Sequence, residues 1–184
     1  MASPTADAMY ALEDNIPGKS KGLVATRVIP RGTRILSEVP IIRAPESLTL
    51  PKLREIIDKQ VGKLTKDDPQ ADLSMHNIYP DDDDDDVSRF CGVFQTNGLP
   101  IDDGESGWGI FRYACQINHY CDNNAQKAWN DDIKRHTIHA LRQIEKGEEI
   151  TITYLDVLTI RENRQEKLRQ KLKFACSCAS APYS

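Results

Sequence analysis

Four short segments of this chain carry residues whose types could do chemistry. Asn118 and His119 stand side by side, and an amide beside an imidazole offers several directional hydrogen-bond donors and acceptors. Tyr154 ends the apolar run Ile150–Tyr154, so a phenol sits where a strand stops. At Lys21-Gly22-Leu23 a residue without Cβ lets main-chain groups approach a ligand closely. Cys91, Cys115, Cys121, Cys176 and Cys178 read as reduced thiols, with a metal left open. Cys91 and Cys115 read as core thiols, and His76, His136 and His139 stand singly, without metal-ligand spacing. No Ser-His-Asp set or metal-hydrolase motif competes with these segments.

The elements that must hold these residues belong to an ordinary globular chain of 184 residues, 39% hydrophobic and 28% charged. No apolar run approaches the length of a membrane span. The N-terminal stretch lacks a basic patch followed by an apolar one, so an intracellular location is expected, with nucleus and cytoplasm not distinguished. Five cysteines, an odd number, argue against a disulfide framework. Charge is distributed unevenly: residues 46–106 hold 15 acidic against 6 basic side chains, and the rest holds 13 against 18. That pattern speaks against direct nucleic-acid binding and for a basic peptide partner or a solvated insert.

Along the chain, residues 1–15 read as a flexible arm. Gly22–Ile29 is strand-like, Pro30-Arg31-Gly32-Thr33 is a turn, and Arg34–Ile42 is β-rich again. Pro51 marks the first turn of a helix with Leu53, Ile56, Ile57, Val61 and Leu64 on one face. Asp81–Asp86, six like charges in a row, predicts a flexible loop. Thr137–Leu141 alternates as a strand, and Glu145–Glu148 turns into the strand ending at Tyr154. Thr159-Ile160-Arg161-Glu162 is a capping box opening a charged helix to about Lys173, with Ile160, Leu168 and Leu172 as its buried stripe.

Read together, Asn118-His119-Tyr120-Cys121-Asp122-Asn123-Asn124 and Gly147-Glu148-Glu149-Ile150-Thr151-Ile152-Thr153-Tyr154 resemble the paired signature of the SET-domain protein methyltransferases. The likeness covers roughly 16–45 and 107–178, with a fainter echo at Phe90–Gly98. It is strongest to small fungal-type members and to the SET part of the MYND-linked subfamily. The resemblance implies an α+β, mostly β fold: a β-clip of short curved sheets with knot-like C-terminal threading, a helical insert and a C-terminal helix. It divides the chain into 16–45 and 107–158 as the two parts of the SET domain, 46–106 as an acidic, partly helical insert, and 159–184 as helix and truncated post-SET tail.

The same resemblance implies an S-adenosylmethionine-dependent protein-lysine N-methyltransferase. Tyr154 is then the catalytic residue beside the lysine channel. Lys21, Gly22, Leu23, Asn118, His119 and Phe174 surround the cofactor, and Cys121, Cys176 and Cys178 are the candidate zinc ligands. The substrate would be a basic protein or peptide carrying a histone or non-histone lysine, and the work is alignment and loss of the lysine's proton in a water-poor channel. The chain departs from the family pattern at Ser20, Gln116, Tyr120 and Asn123, where Gly, Arg, Ser and Pro are usual. Those departures leave two alternatives: a SET scaffold turned to another reaction on a small molecule, such as a cyclisation in a fungal metabolite pathway, or a non-catalytic binding module.

Overall fold

A computed structural model describes residues 7–64, 75–79, 85–102, 107–155 and 161–173, with the backbone alone at 161, 162, 171 and 172. The strands are β1 (Tyr10–Glu13), β2 (Gly22–Ala25), β3 (Arg34–Glu38), β4 (Ile42–Pro45), β5 (Leu99–Ile101), β6 (Gly107–Ile110), β7 (Asn118–His119), β8 (Ala125–Asn130), β9 (Arg135–Ala140) and β10 (Glu149–Ile152). The helices are α1 (Leu50–Val61), α2 (Asp86–Asn97) and α3 (Arg161–Leu172). The fold is thus mixed, mostly sheet, with three helices among the described residues. They group into two units: one takes 37–116 with 128–137, the other 3–36, 117–127 and 138–184. A three-stranded sheet has the order β3-β9-β8.

In the first unit, β6 is the central strand of a sheet ordered β4-β6-β5, antiparallel on both sides. α1 starts after Thr49 with Pro51 in its first turn, and buries Leu53 and Ile57. Gln60 ties this helix to β4 by acting as a strand would: its Oε1 accepts from the Arg43 N–H at 2.9 Å and its Nε2 donates to the Arg43 carbonyl at 2.8 Å. The Glu38 carboxylate accepts the N–H groups of Tyr113 and Ala114, capping the 3-10 turn Ala114–Gln116. Its burial pushes the carboxyl up, against the pull of those two N–H groups and of the Arg112 guanidinium.

The aspartate run needs correcting. Asp81–Asp84 lie outside the described residues, but Asp85 and Asp86 begin α2 rather than a loop. Asp85 is the N-cap, accepting from the Ser88 N–H at 2.9 Å, and it pairs with Arg54 at 3.1 Å. The Ser88 hydroxyl, which donates to the same carboxylate, then the Ser88 N–H and Arg54 hold its carboxyl down at about 2. α2 buries Phe90, Cys91, Val93 and Phe94, so the apolar residues after Val87 form a helix face.

The second unit carries a four-stranded sheet in the order β1-β2-β10-β7. β1 corrects the expected flexible arm: Tyr10–Glu13 pairs antiparallel with β2 over four rungs, and the Thr26 N–H donates to the Met9 carbonyl at 3.0 Å. Four residues without clean alternation give little pattern; they are ordered because β2 offers an open edge. β10 pairs antiparallel with β2 and parallel with β7, so it is covered on both edges. The turn before it places Gly147 at φ +85°, a region that side chains rarely enter. Leu23, Ile117, Ile150 and Ile152 are at most 1% exposed and form the core under this sheet.

Asn124, 1% exposed, secures β10 where β7 is too short to do so. Its Oδ1 accepts the Thr151 N–H at 2.8 Å, and its Nδ2 donates to the Glu149 carbonyl at 2.8 Å and to Glu148 Oε1 at 2.9 Å. α3, expected over 159–173, spans Arg161–Leu172 and buries Leu168 together with Arg164 one turn earlier. Thr159 and Ile160 lie outside the described residues. Replacing Asn124 with Ala strands two backbone groups of a buried strand. Urea unfolding should therefore show a loss of about 2–4 kcal/mol, well above that of an exposed Asn→Ala change.

Candidate functional site

β7 is only two residues long, and both are site candidates. Its parallel register against β10 sets Asn118 opposite Thr151 and His119 opposite Ile152. The Tyr120 N–H extends the pairing to the Ile152 carbonyl at 3.1 Å. Tyr154 follows two residues beyond the end of β10. A parallel ladder therefore delivers it to the side chain of His119.

His119 is 5% exposed. Its Nδ1 accepts the Tyr154 N–H at 3.1 Å, so the proton of the neutral ring belongs on Nε2, 3.5 Å from Cys121 Sγ. The rings of His119 and Tyr154 lie 5.4 Å apart between centroids, tilted by 42°. Burial, followed by the nearby cations Lys19 and Lys127, depresses the imidazole to about 4; the Ile152 carbonyl opposes them and Arg164 adds to them. The ring is neutral near pH 7.

Tyr154 directs its hydroxyl inward, donating to the Ile117 carbonyl at 2.7 Å. Lys127 on β8 stands with Nζ 5.8 Å from the Tyr154 ring centroid and donates to the Thr153 carbonyl at 3.0 Å. The phenol, the imidazole and the strand carrying the imidazole are thus linked through hydrogen bonds spanning 35 and 37 residues of sequence.

Asn118 faces the other way along the sheet. Its Nδ2 donates to the Lys21 carbonyl at 2.6 Å and to Glu149 Oε1 at 2.8 Å, while Glu149 Oε2 pairs with Lys19 at 2.7 Å. Gly22 makes room for this. A Cβ there would stand 2.6 Å from Asn118 Nδ2 and 3.0 Å from Glu149 Oε1. The close approach anticipated at Gly22 is met by the protein's own side chains.

The remaining sequence candidates are placed unevenly. Leu23 is fully buried and held in the ladder between β1 and β10. Lys21 contributes its carbonyl and reaches Asp14 at 3.4 Å through Nζ. Cys121 is half-buried beside His119, whereas Phe174, Cys176 and Cys178 lie outside the described residues. Among the described residues no group of three or more His, Cys, Asp or Glu could hold a metal ion. At Asn123, where proline is usual, the side chain donates to the Ala125 carbonyl at 2.7 Å and restrains the turn by a bond instead of a ring.

Sequence reasoning passed over Lys19, Asn124, Lys127, Glu149 and Arg164. Asn124 and Glu149 lie inside the two motifs and were within reach. Lys19, Lys127 and Arg164 have no local signal; only the fold brings them near His119.

Comparison with known proteins shows the family. Residues 20–155 match the family model described as SET domain, and the chain belongs to that family. Histone-lysine N-methyltransferase set5 of Schizosaccharomyces pombe is 36% identical over 164 residues, covering 89% of this chain and 48% of that protein. Histone-lysine N-methyltransferase SMYD3 of Mus musculus is 39% identical over 74 residues, covering 40% and 17% respectively. N-lysine methyltransferase SMYD2 of Gallus gallus is 33% identical over 131 residues, covering 68% and 27%. The chain thus spans less than half the length of each of these three relatives.

The depressed His119 gives a signed pH effect. The unfolded chain takes up a proton near 6.5, and the folded one only near 4. Stability from this group is complete above 6.5 and is lost as the pH falls toward 4, by on the order of 2 kcal/mol. Urea unfolding at pH 7 and pH 4.5 should show that loss, and His119→Gln, which keeps an acceptor but does not titrate, should show a shallower pH dependence. Gly22→Ala should displace Asn118 and lower the melting temperature, because the added methyl meets Nδ2 at 2.6 Å.

Proposed function

We propose that this chain is the methyl-transferring SET domain of an S-adenosylmethionine-dependent protein-lysine N-methyltransferase. The observation that carries the reading is the parallel β7–β10 pairing, which sets the Tyr154 N–H on His119 Nδ1 and its hydroxyl on the Ile117 carbonyl, with Asn118 next in line on the same strand. Family membership and relatives that bear methyltransferase names support it.

The cofactor would lie against the backbone of Lys21, Gly22 and Leu23 and against Asn118 and His119, with Phe174 as a further contact. These residues fit such a group. A neutral His119 adds no positive charge beside a sulfonium, and Glu149 offsets Lys19. Bound there, S-adenosylmethionine supplies an electrophilic methyl group whose carbon–sulfur bond breaks with its electron pair kept by sulfur.

The chain's own residues do the rest. The Tyr154 hydroxyl donates its hydrogen bond to the Ile117 carbonyl, so its oxygen lone pairs remain to accept an N–H from an incoming lysine amine. That amine attacks only when neutral. The Lys127 ammonium near the Tyr154 ring disfavours a second ammonium there and so favours the deprotonated substrate. The ladder that fixes Tyr154 also fixes His119, which supplies the alignment an in-line transfer requires.

The substrate in this reading is a basic protein or peptide, consistent with the acidic balance of residues 46–106. A histone lysine is the first candidate, given what the set5 and SMYD3 relatives are named for. An intracellular place of action and knot-like threading of the C-terminal segment belong to the same proposal, and no step of it depends on zinc.

Calorimetry with S-adenosylmethionine should show saturable binding at one site. Tyr154→Phe should keep that binding within about threefold while methylation of a lysine-peptide array falls by on the order of a hundredfold. A folded protein that binds no cofactor at millimolar concentration would sink the reading.

A further inference from the structure

Asn118 has two side-chain N–H donors and one carbonyl oxygen to place. Both donors are committed, one to the Lys21 carbonyl at 2.6 Å and one to Glu149 Oε1 at 2.8 Å. Neither partner can exchange roles, because a backbone carbonyl and an ionised carboxylate only accept. Turning the amide over would set Oδ1 against two acceptors, one of them charged. The Lys19 ammonium, 2.7 Å from Glu149 Oε2, holds the carboxylate in place. Among the described residues nothing donates to Asn118 Oδ1, and Asn118 is not fully buried. Donation to a carboxylate also polarises an amide, which makes its oxygen a stronger acceptor.

We propose that the Lys19–Glu149 ion pair is a specificity lock: the Lys21 carbonyl holds one N–H of Asn118 and Glu149 commits the other, so that residue shows a ligand an acceptor only and the site selects its S-adenosyl ligand through an N–H donor. Glu149 is then a positioning residue, acting through Asn118. The identity of the ligand rests on the methyltransferase reading; the lock itself does not. Such a ligand carries two donors that fit, the exocyclic amine of its adenine and the α-ammonium of its amino-acid end. An acceptor in place of the donor would face Oδ1 with a like partner, and a missing donor would leave it unpaired.

The test uses the full chain, S-adenosylhomocysteine, its 6-oxo purine analogue and its analogue lacking the α-amino group. Calorimetry on the wild type should show one of the two analogues weakened by about tenfold or more, which names the donor Asn118 reads. In Glu149→Ala that gap should narrow to about threefold or less, while the other analogue keeps its wild-type ratio to the parent ligand. A strand residue lost to general damage would weaken all three ligands together. Lys19→Met, outside any strand, should narrow the gap less, since the carboxylate remains; it also serves if Glu149→Ala does not fold.

A second readout needs no ligand. The Asn118 side-chain amide protons, assigned by their loss in Asn118→Ala, should exchange slowly in the wild type and at solvent-like rates in Glu149→Ala. An unchanged gap in Glu149→Ala, equal binding of all three ligands to the wild type, or fast exchange in the wild type would each overturn the proposal. Should the folded wild type bind none of the ligands, the methyltransferase reading fails. Proton exchange then decides the lock alone: slow in the wild type and fast in Glu149→Ala upholds it, and no difference overturns it.

Discussion

Everything at the site depends on a strand of two residues. A two-rung parallel ladder cannot hold itself, because each rung fixes more backbone than it bonds. β7 persists because side chains finish what its backbone cannot. Asn118 reaches back to the Lys21 carbonyl, Asn124 takes over the unpaired groups of Glu149 and Thr151, and the Tyr154 N–H ends on His119 Nδ1. The obligation to pair buried backbone groups thus dictates where two amides and an imidazole must sit. The residues that bear the candidate chemistry are the same ones that close the sheet.

Charge then determines what those residues can do. Lys19, Lys127 and Arg164 converge on His119 from a loop, a strand and a helix, and with burial they keep its ring neutral. Glu149 takes one of those cations for itself and spends its other oxygen on Asn118. The result is a set of fixed dipoles and a compensated ion pair instead of free charge. Preorganised dipoles of that kind cost no rearrangement when a cationic group arrives.

Much of this was legible because the motifs carry both chemistry and structure. The strand before Tyr154 (which stops at Ile152, short of the expected end), the turn at Gly147 and the helix with Pro51 in its first turn follow from alternation, φ preference and proline placement, which are local properties. β1 was not legible, since its order comes from the edge of β2 and not from its own pattern. α2 was obscured by the aspartate run and by Gly92, which breaks helical propensity but accommodates the Asn77 side chain packed against it. The Asp85 cap was readable as Asp-x-x-Ser, had the run been taken residue by residue. The cation cluster around His119 was beyond reach, because nothing local links residues 19, 127 and 164.

The departures from the family pattern look different once their bonds are counted. Asn123 stands where a proline ring usually stiffens the turn, yet its amide reaches the Ala125 carbonyl and restores a restraint. Gln116 donates to the Arg112 carbonyl and so supports the turn that precedes β7. Both substitutions keep the backbone where a fixed Asn118 needs it, while changing the chemistry by which it is kept.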